Sequence, residues 1–259
     1  MTDSMHQSLA DILYVSERDR RPVPPLTQQF GSLTLDDAYA IQMTNVNRVS
    51  AMGYVVSGKK IGLTSPGIQR QLGVSEPDYG HLFAEMECKD GVLDSSQLIQ
   101  PRIEAELAFM LSADLTGGEI TAEDVLNSTD YVVGAFEIVD SRVADWKIKL
   151  IDTVADNASS GRYMLGKERR HIKDVYLPSE SMKLHKNGVL VEEGSGANVQ
   201  GNPCAAVAWL ANRLWGYGVT LKKGEIVLSG AFSAAPAAAK GDVFRVEFDS
   251  FGTINAHFT

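Results

Sequence analysis

The 259-residue sequence has only two cysteines, Cys88 and Cys204, which stand far apart and form no CxxC pair. A disulfide framework and a zinc knuckle are therefore excluded, and a reducing compartment fits this composition best. No apolar run approaches the roughly 18 to 20 residues that span a bilayer, and the N-terminus lacks the basic and apolar segments of a signal peptide. We therefore expect a cytoplasmic protein that does not associate with membranes.

Basic residues are also scarce, since 24 Lys and Arg stand against 33 Asp and Glu, which gives a formal net charge of −9. This charge repels phosphate backbones, and the basic cluster at residues 167–173 is interrupted by acids, as in a solvated face. We expect no nucleic-acid partner. The sequence has no HxH, HExxH, GxSxG, P-loop or GxGxxG motif, so zinc proteases, serine hydrolases and nucleotide-binding enzymes lack their usual support.

Hydrophobic periodicity predicts two parts of the chain. Residues 1–52 form a small helical N-terminal region, with helices near residues 9–15 and 35–50 and a Pro-rich linker between them. Residues 53–259 form a strand-rich domain, in which a short helix over residues 65–73 is also expected. The most regular strand covers residues 102–111, and Asn187-Gly188 indicates a β-hairpin. The fold class is therefore a mixed α/β (α+β) fold.

Three glutamates are candidate metal ligands. Glu104 and Glu106 stand at i and i+2 of the alternating strand, so both side chains project from one face. Glu137 interrupts another apolar strand, where an uncompensated charge would be costly. Oxygen-only ligands favour a hard cation such as Mg²⁺ or Mn²⁺. The alternative is that Glu104 and Glu106 form a solvated face beside Arg102 and that Glu137 lies at a strand edge, and spacing alone leaves both open.

Three other groups could act on a substrate. Lys60 ends an apolar strand, Asp78 lies in a turn-rich loop, and residues 152–160 concentrate acids, an amide and hydroxyls around Asp156. Each has a structural alternative: a surface lysine, a turn-forming aspartate and a capped loop.

Five segments occur in one order along the chain: KKIGLT (59–64), EPDYG (76–80), PRIEAE (101–106), FEIVDSR (136–142) and DTVADNASS (152–160). Together they closely resemble the 2-hydroxypenta-2,4-dienoate hydratases, also called 2-keto-4-pentenoate hydratases, of the fumarylacetoacetate hydrolase superfamily. The resemblance covers almost the whole chain. It implies the superfamily's β-rich mixed roll of the C-terminal type, with flanking helices.

The resemblance also implies the roles of particular residues. The family's metal carboxylates fall on Glu104, Glu106 and Glu137, in agreement with the spacing. The implied catalytic residues are Lys60, Asp78 and Asp156. The implied substrate-binding residues are Leu63, Ser160, Ser229 and Gly230. The metal would stabilise an enolate of the 2-oxo acid substrate.

The activity implied by the resemblance is the addition of water to 2-hydroxypenta-2,4-dienoate, giving 4-hydroxy-2-oxopentanoate in the meta-cleavage catabolism of aromatic compounds. A homo-oligomer is expected, and association with a pathway decarboxylase or aldolase is a further expectation. The Ala-rich residues 230–235 resemble the related 2-oxo-3-hexenedioate (4-oxalocrotonate) decarboxylases, whereas Asp78 and Asp145-Trp146 favour the hydratases. A non-catalytic partner subunit is a third alternative, which the intact glutamates and Lys60 argue against.

Overall fold

The computed structural model describes residues 2–65, 67, 69–70 and 74–259. The short helix that was expected over residues 65–73 lies partly outside these ranges. Within them, no helix is both long and apolar enough to cross a membrane.

The N-terminal region contains three helices: α1 (Asp3–Asp19), α2 (Leu26–Gln29) and α3 (Leu35–Ala51). Thr34 caps α3, because its hydroxyl accepts from the Asp37 amide while the Asp37 carboxylate accepts from the Thr34 amide. The first helix is longer than predicted, and contacts distant in sequence support its polar first turns. There, His6 Nε2 lies 2.8 Å from Asp37 Oδ1.

Eleven strands lie within the described ranges, and in chain order they are β1 (Val56–Gly62), β2 (Asp78–Phe83), β3 (Val92–Leu93), β4 (Arg102–Leu111), β5 (Thr129–Val139), β6 (Ser160–Leu165), β7 (Ser181–Lys186), β8 (Val189–Ser195), β9 (Ile226–Leu228), β10 (Val243–Phe248) and β11 (Gly252–Phe258). They form a six-stranded sheet with the order β2-β1-β9-β4-β5-β6 and a five-stranded sheet with the order β3-β11-β10-β7-β8. The predicted strand over residues 102–111 and the hairpin at Asn187-Gly188 are confirmed.

In the described part of the chain beyond the N-terminal region, the sheets are flanked by helices α4 (Ala122–Ser128), α5 (Leu150–Ala155) and α6 (Pro203–Trp215). The sheets approach closely at Gly134 of β5, where a Cβ atom would lie 2.8 Å from ring carbons of Phe248 on β10. One hydrophobic core joins the N-terminal helices to both sheets, since Leu13, Ile41, Phe136 and Phe248 belong to the same cluster. The predicted mixed α/β fold with a helical N-terminal region is thus confirmed.

Candidate active site

The pairing of β4 with β5 brings the three glutamates together. Glu104 lies directly opposite Glu137 in the antiparallel register, and Glu106 follows two residues later on the same face of β4. One carboxylate oxygen from each residue lies within 4.8 Å of the others. The solvated-face alternative is wrong, because Glu106 and Glu137 are fully buried. Glu137 also lies in an interior strand, paired with β4 on one side and β6 on the other.

The three carboxylates have too few positively charged neighbours to neutralise them. Glu106 Oε1 and Glu137 Oε2 are buried and accept no hydrogen bond from the described residues. Burial and the neighbouring carboxylates raise the pKa of Glu106 well above its usual value, and burial raises the pKa of Glu137 to about 7. A hard divalent cation would neutralise the cluster and use the unpartnered oxygens, so the residues present fit such an ion.

Lys60 and Asp78 extend the cluster from the neighbouring strands β1 and β2. Lys60 Nζ lies 3.2 Å from Glu137 Oε1 and is almost fully buried. Burial lowers the pKa of Lys60, but the surrounding carboxylates, led by Glu137, outweigh it and raise the pKa above its usual value. Lys60 is therefore a protonated donor at neutral pH.

Asp78 is buried opposite Gly62 in the β1–β2 register, and its Oδ1 has no hydrogen-bond partner among the described residues. Burial raises its pKa, while the Lys60 charge and a hydrogen bond with the Thr153 side chain act in the opposite direction. A Cβ on Gly62 would lie 2.2 Å from Asp78 Oδ1 and 3.3 Å from Lys60 Nζ. The glycine therefore leaves open the space that these two polar groups share.

A cleft of about 370 Å³ opens onto this cluster. Lys60, Asp78 and Glu104 supply its polar wall, and Leu63 lies beside them at a positive φ of 57°. Much of the remaining lining consists of side chains that are aromatic, aliphatic or small, and these include Trp146, Ile148, Ala231, Ala234 and Ala235. The cleft thus combines a charged end with a largely apolar wall, as a small organic acid requires.

The turn after β9 supports the carboxylate cluster. The Gly230 amide donates to Glu106 Oε2 at 2.8 Å, so this N–H positions a candidate metal ligand. Gly230 has a φ of 114°, and a Cβ there would lie 2.5 Å from Thr64 Oγ1. Ser229 is fully buried, and its Oγ has no partner among the described residues. Of this predicted substrate-binding pair, Ser229 is not among the residues that line the cleft, and the Gly230 amide is engaged by Glu106.

The structure does not bring Asp156 and Ser160 into this cleft. Asp156 is buried against Arg142, with 2.5 Å between its Oδ1 and the guanidinium Nε, and it also accepts from the Arg142 amide. The Ser160 hydroxyl donates to the Asn157 carbonyl. Both residues line a separate cavity of about 340 Å³ beside α1. A buried arginine needs a counter-ion, which gives Asp156 a structural role.

A strained turn nevertheless connects Asp156 to the cleft. Asn157, Ala158 and Ser159 have φ values of 54°, 49° and 55°, in the left-handed region that few non-glycine residues adopt. The Asn157 side chain fixes this turn to β2 by pairing with the backbone N–H and C=O of His81. Ala158 and Ser159 then line the cleft beside the carboxylate cluster.

Arg102, Trp146 and Thr153 also line the cleft, although the sequence analysis assigned none of them a role there. Strand alternation could have placed Arg102 on the face of Glu104 and Glu106, since it precedes Glu104 by two residues. No local signal indicates Thr153, because its contact with Asp78 depends on how α5 packs beside β2.

Comparison with known proteins identifies the family to which the chain belongs. A family model for the fumarylacetoacetate (FAA) hydrolase C-terminal domain matches residues 89–259. The chain belongs to the fumarylacetoacetate hydrolase family. Members of this family match it along almost its whole length. A 2-hydroxyhexa-2,4-dienoate hydratase from Comamonas testosteroni is 45% identical, over 95% of this chain and 95% of that protein. A 2-keto-4-pentenoate hydratase from Paraburkholderia xenovorans is 43% identical, over 100% of this chain and 96% of that protein.

Solved structures of the fumarylacetoacetate hydrolase family share the fold. The 4-oxalocrotonate decarboxylase from Pseudomonas putida G7, complexed with magnesium and adipate, superposes with a TM-score of 0.97 at 36% identity, covering 100% of this chain and 99% of that one. Fumarylpyruvate hydrolase from Pseudomonas aeruginosa, in complex with Mn²⁺ and pyruvate, has a TM-score of 0.63 at 14% identity, covering 79% of this chain and 90% of that one. The second likeness concerns the fold alone. The family resemblance inferred from the sequence motifs is confirmed.

Proposed function

We propose that this protein is a metal-dependent hydratase that adds water to 2-hydroxypenta-2,4-dienoate and gives 4-hydroxy-2-oxopentanoate. The observation that carries the proposal is the cluster of Glu104, Glu106 and Glu137 beside Lys60 and Asp78 in one cleft. Named hydratases match nearly the whole chain at 43–45% identity, which supports this activity over others of the same fold.

Glu104, Glu106 and Glu137 would hold Mg²⁺ or Mn²⁺. When bound, the cation supplies a Lewis acid that polarises the oxygens of a 2-oxo acid and favours its enolate form. The chain contributes to this by fixing the ligands: the Gly230 amide holds one oxygen of Glu106, and Lys60 holds one oxygen of Glu137. Hydrogen bonds and ion pairs to the ligand side chains orient these ligands and maintain the affinity of the site for the metal.

The first half of the reaction moves a proton within the substrate. The proton on the 2-hydroxyl leaves and a proton is added at C5, which converts the dienol to 2-oxopent-3-enoate. Lys60 is suited to donate the proton that C5 gains, because its Nζ is protonated, buried and adjacent to the carboxylate cluster. The neutral amine that results would accept the proton that leaves the 2-hydroxyl, which restores the ammonium. A positioned acid or base typically contributes about 10²–10⁴-fold to such a step.

The second half adds water across C3 and C4, with oxygen joining C4 and hydrogen joining C3. Asp78 is suited to accept the proton of that water, because its Oδ1 is unpartnered among the described residues and burial raises the pKa of its carboxyl group. Leu63 contributes to the cleft wall, whereas Ser229 is fully buried and does not line the cleft, so its hydroxyl has no assigned contact with the substrate.

Decarboxylation of 2-oxo-3-hexenedioate is the second candidate activity. It is favoured by the TM-score of 0.97 to the Pseudomonas putida decarboxylase and by the small residues Ala231, Ala234 and Ala235 along the cleft. Both reactions start from an enolisable 2-oxo acid, so the same carboxylate cluster could serve either.

The test is to supply each substrate separately with Mg²⁺, follow its ultraviolet absorbance, and identify the product by mass. The hydratase proposal predicts rapid decay of freshly generated 2-hydroxypenta-2,4-dienoate with gain of one water, abolished by EDTA and restored by excess Mg²⁺. Persistence of the dienoate, together with loss of CO₂ from 2-oxo-3-hexenedioate, would replace the hydratase assignment with the decarboxylase. A Glu106→Gln variant serves as the inactive control, since it keeps the size of the side chain and removes its charge.

We also propose that the protein works as a cytoplasmic homo-oligomer. Val189 and Leu190 are 64% and 44% exposed on β8, the strand at the end of the five-stranded sheet, where a second copy could cover them. Light scattering coupled to size-exclusion chromatography measures the oligomer number directly. The same column run with a pathway decarboxylase or aldolase tests the proposed association.

A further inference from the structure

Arg102 is a cation in the catalytic cleft without a carboxylate partner among the described residues. It precedes Glu104 by two residues on β4, so its side chain leaves the strand on the face that carries the carboxylate cluster. Its Nη1 donates to the Ala235 carbonyl at 3.3 Å, while its buried Nε donates to no described group. A guanidinium has five N–H donors, so most of its capacity is unused.

Trp146 fixes the position of this guanidinium. The Arg102 Cζ lies 5.1 Å from the centroid of the Trp146 ring, a cation–π geometry. The ring is held in turn by a hydrogen bond of 3.0 Å from its Nε1 to the Gln100 carbonyl. Asp145 and Trp146 both adopt left-handed backbone conformations, with φ values of 58° and 54°. Strain of this kind is concentrated at functional sites, where it holds a side chain in a required position.

The charges of the cleft indicate what Arg102 would bind. Lys60, the other cation of the cleft wall, is already paired with Glu137, whereas Arg102 has no such partner among the described residues. A cation held by the three glutamates would offset part of the negative charge that an anionic substrate meets, and Arg102 supplies a second positive charge in the same cleft. An arginine fork matches a carboxylate with two parallel hydrogen bonds.

We propose that Arg102, held by Trp146, binds a carboxylate of the organic-acid substrate in the catalytic cleft. The substrate class rests on the proposed function, but the contact is independent of which reaction follows. The carboxylate is either the one next to the 2-oxo group or a second one at the far end of a dicarboxylate. The experiment separates these two sources.

Binding is measured by isothermal titration calorimetry on the Mg²⁺-loaded protein, with pyruvate as a ligand with one carboxylate and 2-oxoadipate as a ligand with two. Neither titration requires turnover, so a failure of the hydratase assignment leaves this test valid. The variants are Arg102→Gln and Arg102→Lys. The matched control is Arg162→Gln, which removes another half-buried arginine that lines the separate cavity and not the catalytic cleft.

We expect Arg102→Gln to raise the dissociation constant by about 10- to 100-fold, because a hydrogen-bonded charge is lost. Arg102→Lys should restore only part of the affinity, since an ammonium is a point charge without the fork. Weaker binding of both ligands assigns Arg102 to the carboxylate beside the 2-oxo group, and weaker binding of 2-oxoadipate alone assigns it to the distal carboxylate. Unchanged affinity for both ligands, or an equal loss in Arg162→Gln, overturns the proposal.

A second variant tests the same proposal if Arg102→Gln does not fold. Trp146→Leu leaves the guanidinium in place but removes its stacking partner and the hydrogen bond to Gln100. We expect it to weaken binding of the same ligand by a smaller factor, about 3- to 10-fold, as a cation–π contact would. Affinity for that ligand equal to that of the unaltered protein would exclude the supporting role of Trp146.

Discussion

We expect Asp156 to stabilise the folded protein and to take no part in catalysis, and the substitution Asp156→Asn tests this. The carboxylate accepts from the Arg142 amide at 3.0 Å and from its Nε at 2.5 Å, and from the hydroxyls of Ser141 and Ser159 at 3.3 and 3.2 Å. Asparagine keeps the shape of the side chain but removes the carboxylate charge with which the buried Arg142 guanidinium is paired.

Breaking a buried ion pair in this way costs about 3–5 kcal/mol. Because asparagine can still accept one hydrogen bond, we expect a loss at the lower end, about 3 kcal/mol. For a chain of this size each kcal/mol shifts the melting temperature by about 2–4 °C, so the midpoint should fall by about 6–12 °C. The exposed substitution Asp130→Asn is the matched control, and it should change the stability by less than about 0.5 kcal/mol.

The assay is urea unfolding followed by circular dichroism, together with turnover at a temperature at which the variant remains folded. Replacing both partners, as in Arg142→Met with Asp156→Leu, should cost less than the sum of the two single losses, because neither charge is then left unpaired. Unchanged stability combined with a loss of turnover of about 10²–10⁴-fold would refute the structural role, since that is the signature of a lost general base.

Three further predictions follow from the site and its surroundings. Glu106→Gln should abolish the thermal stabilisation by Mg²⁺, about 2.7 kcal/mol at one hundred times the dissociation constant, without lowering the melting temperature of the metal-free protein. Burial and the nearby Lys59 charge lower the pKa of His81 to about 3, so the unfolded state binds an extra proton at this residue below pH of about 6.5, and this contribution lowers the stability at pH 5 by about 2 kcal/mol relative to pH 8. Because the raised pKa values of Glu106 and Glu137 act in the opposite direction, urea unfolding of the unaltered protein is compared with that of His81→Asn, whose change in stability from pH 8 to pH 5 should be more favourable by about 2 kcal/mol. Gly230→Ala should cost about 1–3 kcal/mol in urea unfolding and weaken Mn²⁺ binding in calorimetry, because its Cβ would meet Thr64 at a φ of 114°. A Gly53→Ala control also has a positive φ, but its Cβ meets no neighbouring atom, so it should lose stability without losing metal affinity.

The carboxylate cluster could be predicted because it follows from strand periodicity. Alternation with a period of two placed Glu104 and Glu106 on one face, and the structure confirms that strand over residues 102–111. The third ligand, Glu137, could be recognised because it is an acid that interrupts an apolar strand. Its position opposite Glu104 depends on the register of β4 and β5, which no local pattern specifies.

The roles of residues near turns could not be predicted in the same way. Asp156 stands in an acidic, hydroxyl-rich segment that suits a ligand, but its partner Arg142 precedes it on a separate segment and is brought to it by the turn after α5. The length of α1 was underestimated for a similar reason, because the contact between His6 and Asp37 joins residues on different helices. Local patterns do not contain such long-range pairings.

The most direct test of the account is the mass of the product formed from 2-hydroxypenta-2,4-dienoate in H₂¹⁸O with Mg²⁺. The account predicts a product that carries one ¹⁸O at C4, in an amount that falls to background with EDTA and in Glu106→Gln. Exchange of ¹⁸O into the 2-oxo group is read separately, by fragmentation. A dienoate that remains unchanged in the Mg²⁺-loaded protein, or a product with no oxygen added at C4, would contradict the assignment of this cleft as the site of hydration.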